Sequence, residues 1–124
     1  MKSMAEFRQD LLSIVQKAQK GAGLSEVMEG IREVLGRHPQ EISTLSYSYR
    51  VQCPDTGLDY AFEIENGVSA VVDGEQETDV TVIGAEKELL RVVKRESNPA
   101  IALMTGRVKV KGKKAALLAF ARFF

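Results

Sequence analysis

Residues 98–124 read NPAIALMTGRVKVKGKKAALLAFARFF, and three different periods follow one another inside them. Pro99 fixes its own φ and lacks an N–H, so it suits the first position of a short helix running to Met104. Gly106 ends that helix. From Arg107 to Lys111 basic residues alternate with Val108 and Val110, the pattern of a half-buried strand with one charged face. Gly112 turns the chain. Residues 113–124 contain nine apolar residues in twelve and predict a final helix. On a wheel of about 100° per residue, Ala115, Ala116, Ala119, Phe120 and Phe123 fall on one arc. Leu117, Leu118 and Ala121 fall on the other, among Lys114 and Arg122. A helix apolar on both sides needs cover on both sides. The alanines permit close packing on a sheet. The remaining face calls for more core, a partner subunit or a bound apolar ligand.

Upstream, residues 4–20 predict a helix whose stripe is Met4, Phe7, Leu11, Leu12, Ile14, Val15 and Ala18. Ser3 and Glu6 have capping-box spacing, and Gly21 and Gly23 stop it. Residues 25–35 predict a second helix, closed by Gly36 and Pro39. The middle of the chain is β. Leu45, Tyr47, Tyr49, Val51 and Cys53 alternate with polar residues, as do Leu58, Tyr60, Phe62 and Ile64. Pro54-Asp55-Thr56-Gly57 reverses the chain between these two strands. Asn66-Gly67 is a strong hairpin signal and leads to a third strand over 68–73. These three strands form an antiparallel meander. A fourth strand over 79–83 and a helix over 85–96 precede the Ser97-Asn98-Pro99 break.

With 124 residues, 44% of them hydrophobic and 27% charged, the chain reads as one globular domain. No apolar run approaches the roughly 20 residues of a membrane span. Glu6, Arg8 and Asp10 interrupt any signal-peptide core. The single cysteine, Cys53, excludes an internal disulfide and fits a reducing, cytoplasmic location. Net charge is zero but uneven: residues 55–79 hold eight carboxylates and no Lys or Arg, and residues 105–124 hold six basic residues and no acid.

The usual catalytic patterns are missing. One His and one Cys do not make a zinc site of the Cys/His kind, and no nucleophile-elbow sequence accompanies His38. His38 follows a helix C-terminus, where its cation suits the macrodipole. Between Gly106 and Gly112 lie five residues where a Walker loop has four, and no Ser or Thr follows the lysine. The sequence therefore predicts no catalytic residue, no metal, no cofactor and no enzyme activity. The basic strand lacks interleaved aromatics for stacking bases, and the isoelectric point of about 6.6 argues against nucleic acid.

The run from Asn98 to Gly112 resembles the sterol carrier protein, or non-specific lipid-transfer, family. The matching residues are Asn98, Pro99, Ala102, Met104, Gly106, Val108, Lys109, Val110, Lys111 and Gly112. The hairpin at Glu65 to Gly67 and the stretch from Asp79 to Val82 are similar too, so the resemblance covers about 45–124, with 1–40 a helical N-terminal region of the same single domain. It departs from the family in its second N-terminal helix, in Lys-Arg-Glu-Ser before Asn98 where a glycine is common, and in Ala119 and Ala121 at commonly polar positions. The chain stops at Phe124 without a Ser-Lys-Leu peroxisomal tail. The resemblance implies an α/β fold: a mixed five-stranded sheet with helices layered over its apolar face. It also implies an apolar cavity between the sheet and a C-terminal helix acting as lid, and the binding and transfer of a sterol, fatty acid or acyl chain there.

On this reading Tyr47, Tyr49, Phe62, Leu103, Met104, Leu117, Leu118, Phe120 and Phe123 contact the lipid, and Met28 adds an adaptable wall. Arg107, Lys109, Lys111 and Lys114 would dock the protein on anionic membranes. The competing reading is a structural or interaction module whose last helix is buried in a homodimer without ligand.

Overall fold

The computed structural model describes residues 4–123. Ser3 of the expected capping box and Phe124, expected to end the last helix, lie outside them. The chain runs α1 (Met4–Gln19), α2 (Leu24–Arg37), β1 (Tyr47–Cys53), β2 (Leu58–Glu65), β3 (Val68–Val71) and β4 (Val80–Gly84). It continues through α3 (Glu86–Val93), α4 (Pro99–Met104), β5 (Val108–Gly112) and α5 (Lys114–Ala121). Every element expected from the sequence is present. Helix α3 ends earlier than its pattern suggested, because the chain turns at Arg95 in the left-handed region, φ 62°.

The strands form one mixed sheet in the order β3-β2-β1-β4-β5. The meander is antiparallel, Tyr49 facing Phe62 across β1–β2 and Ile64 facing Ser69 across β2–β3. Asn66 and Gly67, at φ 53° and 76°, make the tight turn that joins β2 to β3. Both central residues have positive φ, as a type I′ hairpin requires. Strand β4 pairs parallel to β1, and β5 closes the sheet antiparallel to β4.

The period-2 alternation decides what is buried. Tyr49, Phe62 and Ile64 are buried on the helix-covered face, while Asp59, Glu63 and Lys109 are exposed. Helix α2 packs over β2 and β3, α5 over β1 and β4, and α4 against β5, while α1 and α3 rest on α2. The stripe of α1 buries Phe7, Leu11, Ile14, Val15 and Ala18. Burial at about 25 cal/mol per Å² makes such a stripe the main source of a helix's stability. Gly30 lets the two N-terminal helices approach, since a Cβ there would meet Ile14 Cδ1 at 2.8 Å. The open face of the sheet is polar: Arg50 reaches Asp59 Oδ1 at 2.6 Å and donates to the carbonyls of Gly74 and Gln76, each at 3.0 Å.

Candidate functional site

Where α5 crosses the sheet, aromatic rings from three elements meet. Tyr49 and Phe62 sit opposite each other in the β1–β2 register and stack, with centroids 5.3 Å apart and planes at 24°. Phe120 of α5 lies over both, 5.4 Å from Tyr49 and 6.4 Å from Phe62. Such offset and edge-on pairs add about 0.5–1.5 kcal/mol each beyond their burial. Tyr47 extends the cluster edge-on to Tyr49 at 6.5 Å. Phe123, just past α5, packs edge-on to Phe7 of α1 at 4.9 Å.

Polar contacts fix α5 over these rings. The Tyr49 hydroxyl donates to the Ala116 carbonyl at 2.8 Å, and burial pushes its pKa well above that of a free phenol. At the start of α5, Asp79 Oδ1 lies 3.4 Å from Lys113 Nζ, and the Asp79 carbonyl accepts from Lys113 N at 2.7 Å. Asp79 Oδ2 accepts from Ser48 N at 2.8 Å. That bond and the Lys113 ammonium hold the Asp79 carboxyl below the usual carboxylate range. Gly112, at φ 96°, is required there: a Cβ would fall 2.3 Å from the Asp79 carbonyl oxygen.

Of the nine expected lipid contacts, Tyr49 and Phe62 are buried in the core, and Tyr47, Leu117, Phe120 and Phe123 are partly buried against it. The other three face outward: Leu103 is 43% exposed, Leu118 66% and Met104 86%. The buried arc of α5 is thus Ala116, Leu117, Ala119 and Phe120. Ala115 faces out with Lys114, Leu118 and Ala121, whereas the helical wheel grouped it with the sheet-facing alanines. Leu117 sits inside because it lies at the arc's margin, only about 60° from Phe120 at 100° per residue.

The sequence reading missed two groupings. His38 is fully buried, with Nε2 2.7 Å from Asp10 Oδ2 and its ring 5.0 Å from Phe7. Tyr60 donates to Glu29 of α2 and lies 3.2 Å from Arg32 Nε. Burial and the Glu29 carboxylate push the Tyr60 phenol up to about 12. Cys53 is buried and its thiol is pushed up to about 11, mainly by burial and then by Glu86 and Asp55. Such a thiol is mostly unreactive.

Two clefts open elsewhere, about 590 Å³ beside Lys17, Glu26 and Glu33, and about 620 Å³ beside Asp55, Glu86 and Arg91. Both carry charged walls, and neither is bordered by α5. Among the described residues no cluster of three His, Cys, Asp or Glu side chains could hold a metal ion. No described helix is long and apolar enough to cross a membrane.

This arrangement, a meander-based mixed sheet under a short apolar C-terminal helix, has relatives. Residues 31–124 match the sequence profile of the SCP-2 sterol transfer family. The chain belongs to that family. The match begins inside α2 and leaves α1 outside it. No relative was found among curated proteins. Among solved structures, this SCP-2 family chain superposes on sterol carrier protein 2 like 2 from Aedes aegypti at TM-score 0.64 and 14% identity, covering 82% of this chain and 95% of that one. A ubiquinone synthesis protein, UbiJ-SCP2, aligns at TM-score 0.60 and 18% identity, over 80% and 93% of the two chains. A double mutant of the sec-alkyl sulfatase PisA1 aligns at TM-score 0.64 and 21% identity, over 77% of this chain. The SCP-2 chain spans only 16% of that sulfatase. At these identities the likeness is one of fold.

Proposed function

We propose that this SCP-2 family chain binds one apolar lipid chain between the sheet and helices α4 and α5, and transfers it. The observation that carries the reading is the position of Phe120. It lies over Tyr49 and Phe62 on a helix of eight residues, with Leu118 exposed on the far side. A lipid entering under α5 would displace the Phe120 ring and take its place over Tyr49 and Phe62. Tilting of α5 about Gly112 would turn Leu117 toward the cargo, with Leu118, Leu103 and Met104 closing around it. Each buried methylene contributes about 0.8 kcal/mol, so a long acyl chain supplies on the order of 10 kcal/mol before its ordering entropy is subtracted. No charged group or metal is needed for that, and chain-length selectivity is weak.

Sterol carrier protein 2 like 2 from Aedes aegypti has been solved in a palmitated form, which superposes on this chain at TM-score 0.62. That favours an acyl chain as cargo here, by family likeness. The test is mass spectrometry of a solvent extract of purified protein, joined to titration with a fluorescent fatty acid. The parent should carry extractable lipid or bind the probe. Leu118→Arg should fold like the parent, because Leu118 is exposed without cargo, and should bind the probe far more weakly. A parent that yields no lipid and ignores the probe overturns the reading. If that parent is instead a dimer that Leu118→Arg makes monomeric, the interaction-module reading holds.

A further inference from the structure

The sheet order sets most of the acidic run and the basic run toward opposite edges of the sheet, and among the described residues the two meet only where Asp79, the last acid of the run, pairs with Lys113. The acidic run occupies β2, β3 and the loop that follows them, and the basic run occupies β5 and α5. Strands β3 and β5 are the two edges of the sheet. With neighbouring strands about 4.8 Å apart, those edges are about 19 Å apart. The two edges of the sheet therefore differ in charge, which the zero net charge conceals.

The basic edge is also the apolar one. Helix α4 packs against β5 and buries only Ala102, leaving Ala100, Ile101, Leu103 and Met104 exposed. On β5, the strand against which α4 packs, Lys109 and Lys111 are exposed on the face away from Val108, and Lys114 follows at the start of α5. Among the described residues none of these three lysines has a carboxylate within 4 Å. Arg107 is less available, because it lies 3.8 Å from Glu88. An exposed apolar helix packed on an edge strand of unpaired lysines, on a molecule whose far edge is acidic, fits a surface that is apolar within and anionic at its boundary.

We infer that the α4–β5 edge docks on anionic lipid bilayers, with Ile101 and Met104 entering the headgroup–acyl boundary and Lys109 and Lys111 lying among the headgroups. Lysine stems can lie along the apolar boundary while their ammonium groups stay in the polar layer. The acidic β2–β3 edge is repelled by the same surface, so the protein settles in one orientation. In that orientation α4, a wall of the proposed lipid site, faces the bilayer. The inference takes its purpose from the proposed lipid carriage, but docking is read separately from cargo binding.

The experiment is flotation of the full chain with phosphatidylcholine vesicles, with and without phosphatidylserine, at about 0.1 M and about 1 M salt. The Debye length falls from about 10 Å to about 3 Å between those two conditions. Binding should require phosphatidylserine and be largely lost at high salt. Each lysine near an anionic surface strengthens binding on the order of five-fold, so Lys109→Ser with Lys111→Ser should weaken it on the order of 25-fold. Both lysines lie outside the proposed lipid site, so that variant should keep the parent's response to a fluorescent fatty acid in solution. Ile101→Asp should lower vesicle binding even at low salt. Should it fail to fold, Ile101→Ser serves instead. Equal binding to both vesicle types, or a lysine pair variant that binds as the parent does, overturns the inference. So does a protein that ignores vesicles but binds polyglutamate through these lysines, which would make the partner an acidic polypeptide. A parent that docks but never takes up the probe leaves docking standing and removes lipid carriage.

Discussion

The Tyr49 hydroxyl donates to the carbonyl oxygen of Ala116, 2.8 Å away and 67 positions along the chain. This single buried bond joins the first strand to the last helix. Tyr49→Phe keeps the ring that stacks on Phe62 and Phe120 and removes only the bond. Its cost should be about 1 kcal/mol, read as a melting temperature lower by about 3–5 °C. If the bond restrains α5, the variant should also take up a fluorescent fatty acid faster in stopped flow. An unchanged melting temperature together with an unchanged rate would show that the ring packing alone holds α5.

Gly112 and Gly106 both have positive φ, 96° and 76°, yet they should respond differently to alanine. A Cβ at Gly106 meets nothing within 4 Å, whereas at Gly112 it would fall 2.3 Å from the Asp79 carbonyl oxygen. Gly106→Ala should cost about 1 kcal/mol, for the left-handed backbone alone. Gly112→Ala must also push β5 away from the start of β4, so its urea midpoint should fall well below that of Gly106→Ala. Equal midpoints would contradict the close approach.

The elements were legible because the periods change sharply at glycines and prolines. Alternation placed Tyr49, Phe62 and Ile64 inward, and Asn66-Gly67 fixed the hairpin. The parallel pairing of β1 with β4 was not legible, since strand direction within a sheet leaves no mark on side-chain period. The exposure of Leu103 and Met104 was hidden because α4 has six residues, too few for a helical period to assign a face. The contact between His38 and Asp10 joins residues 28 apart, and it follows from how α1 lies on α2, which no local pattern records. The ring cluster was legible in its members but not in its packing: alternation names inward residues without saying whether they line a cavity or fill it.

His38 is buried beside α1, with Asp10 Oδ2 2.7 Å from Nε2 and Glu41 Oε2 4.0 Å from Nδ1. Phe7, which packs on its ring, also packs on Phe123. His38→Ala removes the Asp10 contact and leaves a cavity next to Phe7, so a loss of about 2–4 kcal/mol is expected. The looser Phe7 should in turn free Phe123, detectable as faster amide exchange at the end of α5. Exchange that rises evenly over the whole chain, by the amount global destabilisation accounts for, would separate His38 from the last helix.

Asp79 gives the start of α5 a pH dependence of known sign. Its folded carboxyl titrates below the unfolded value, first because Ser48 N donates to it and also because of Lys113. A depressed folded pKa contributes stability that is fully present above the unfolded pKa, about 3.9, and is lost as pH falls through the folded pKa. Asp79→Asn keeps the size of the side chain and removes the charge. At pH 7 it should be less stable than the parent by about 1.5–3 kcal/mol, the range for hydrogen bonds to a charged group. As pH falls below the unfolded value the gap should narrow, and the two urea midpoints should converge once the parent carboxyl is itself neutral. Comparing the pair at each pH cancels the other acids, including Glu29, whose carboxyl is lowered by Arg32 and Tyr60. A gap of constant size from pH 7 to pH 3 would mean that the charge of Asp79 holds nothing. Convergence, with slower vesicle-independent probe uptake in the parent at pH 7 than in Asp79→Asn, would place the hinge of α5 at the contact between Asp79 and Lys113.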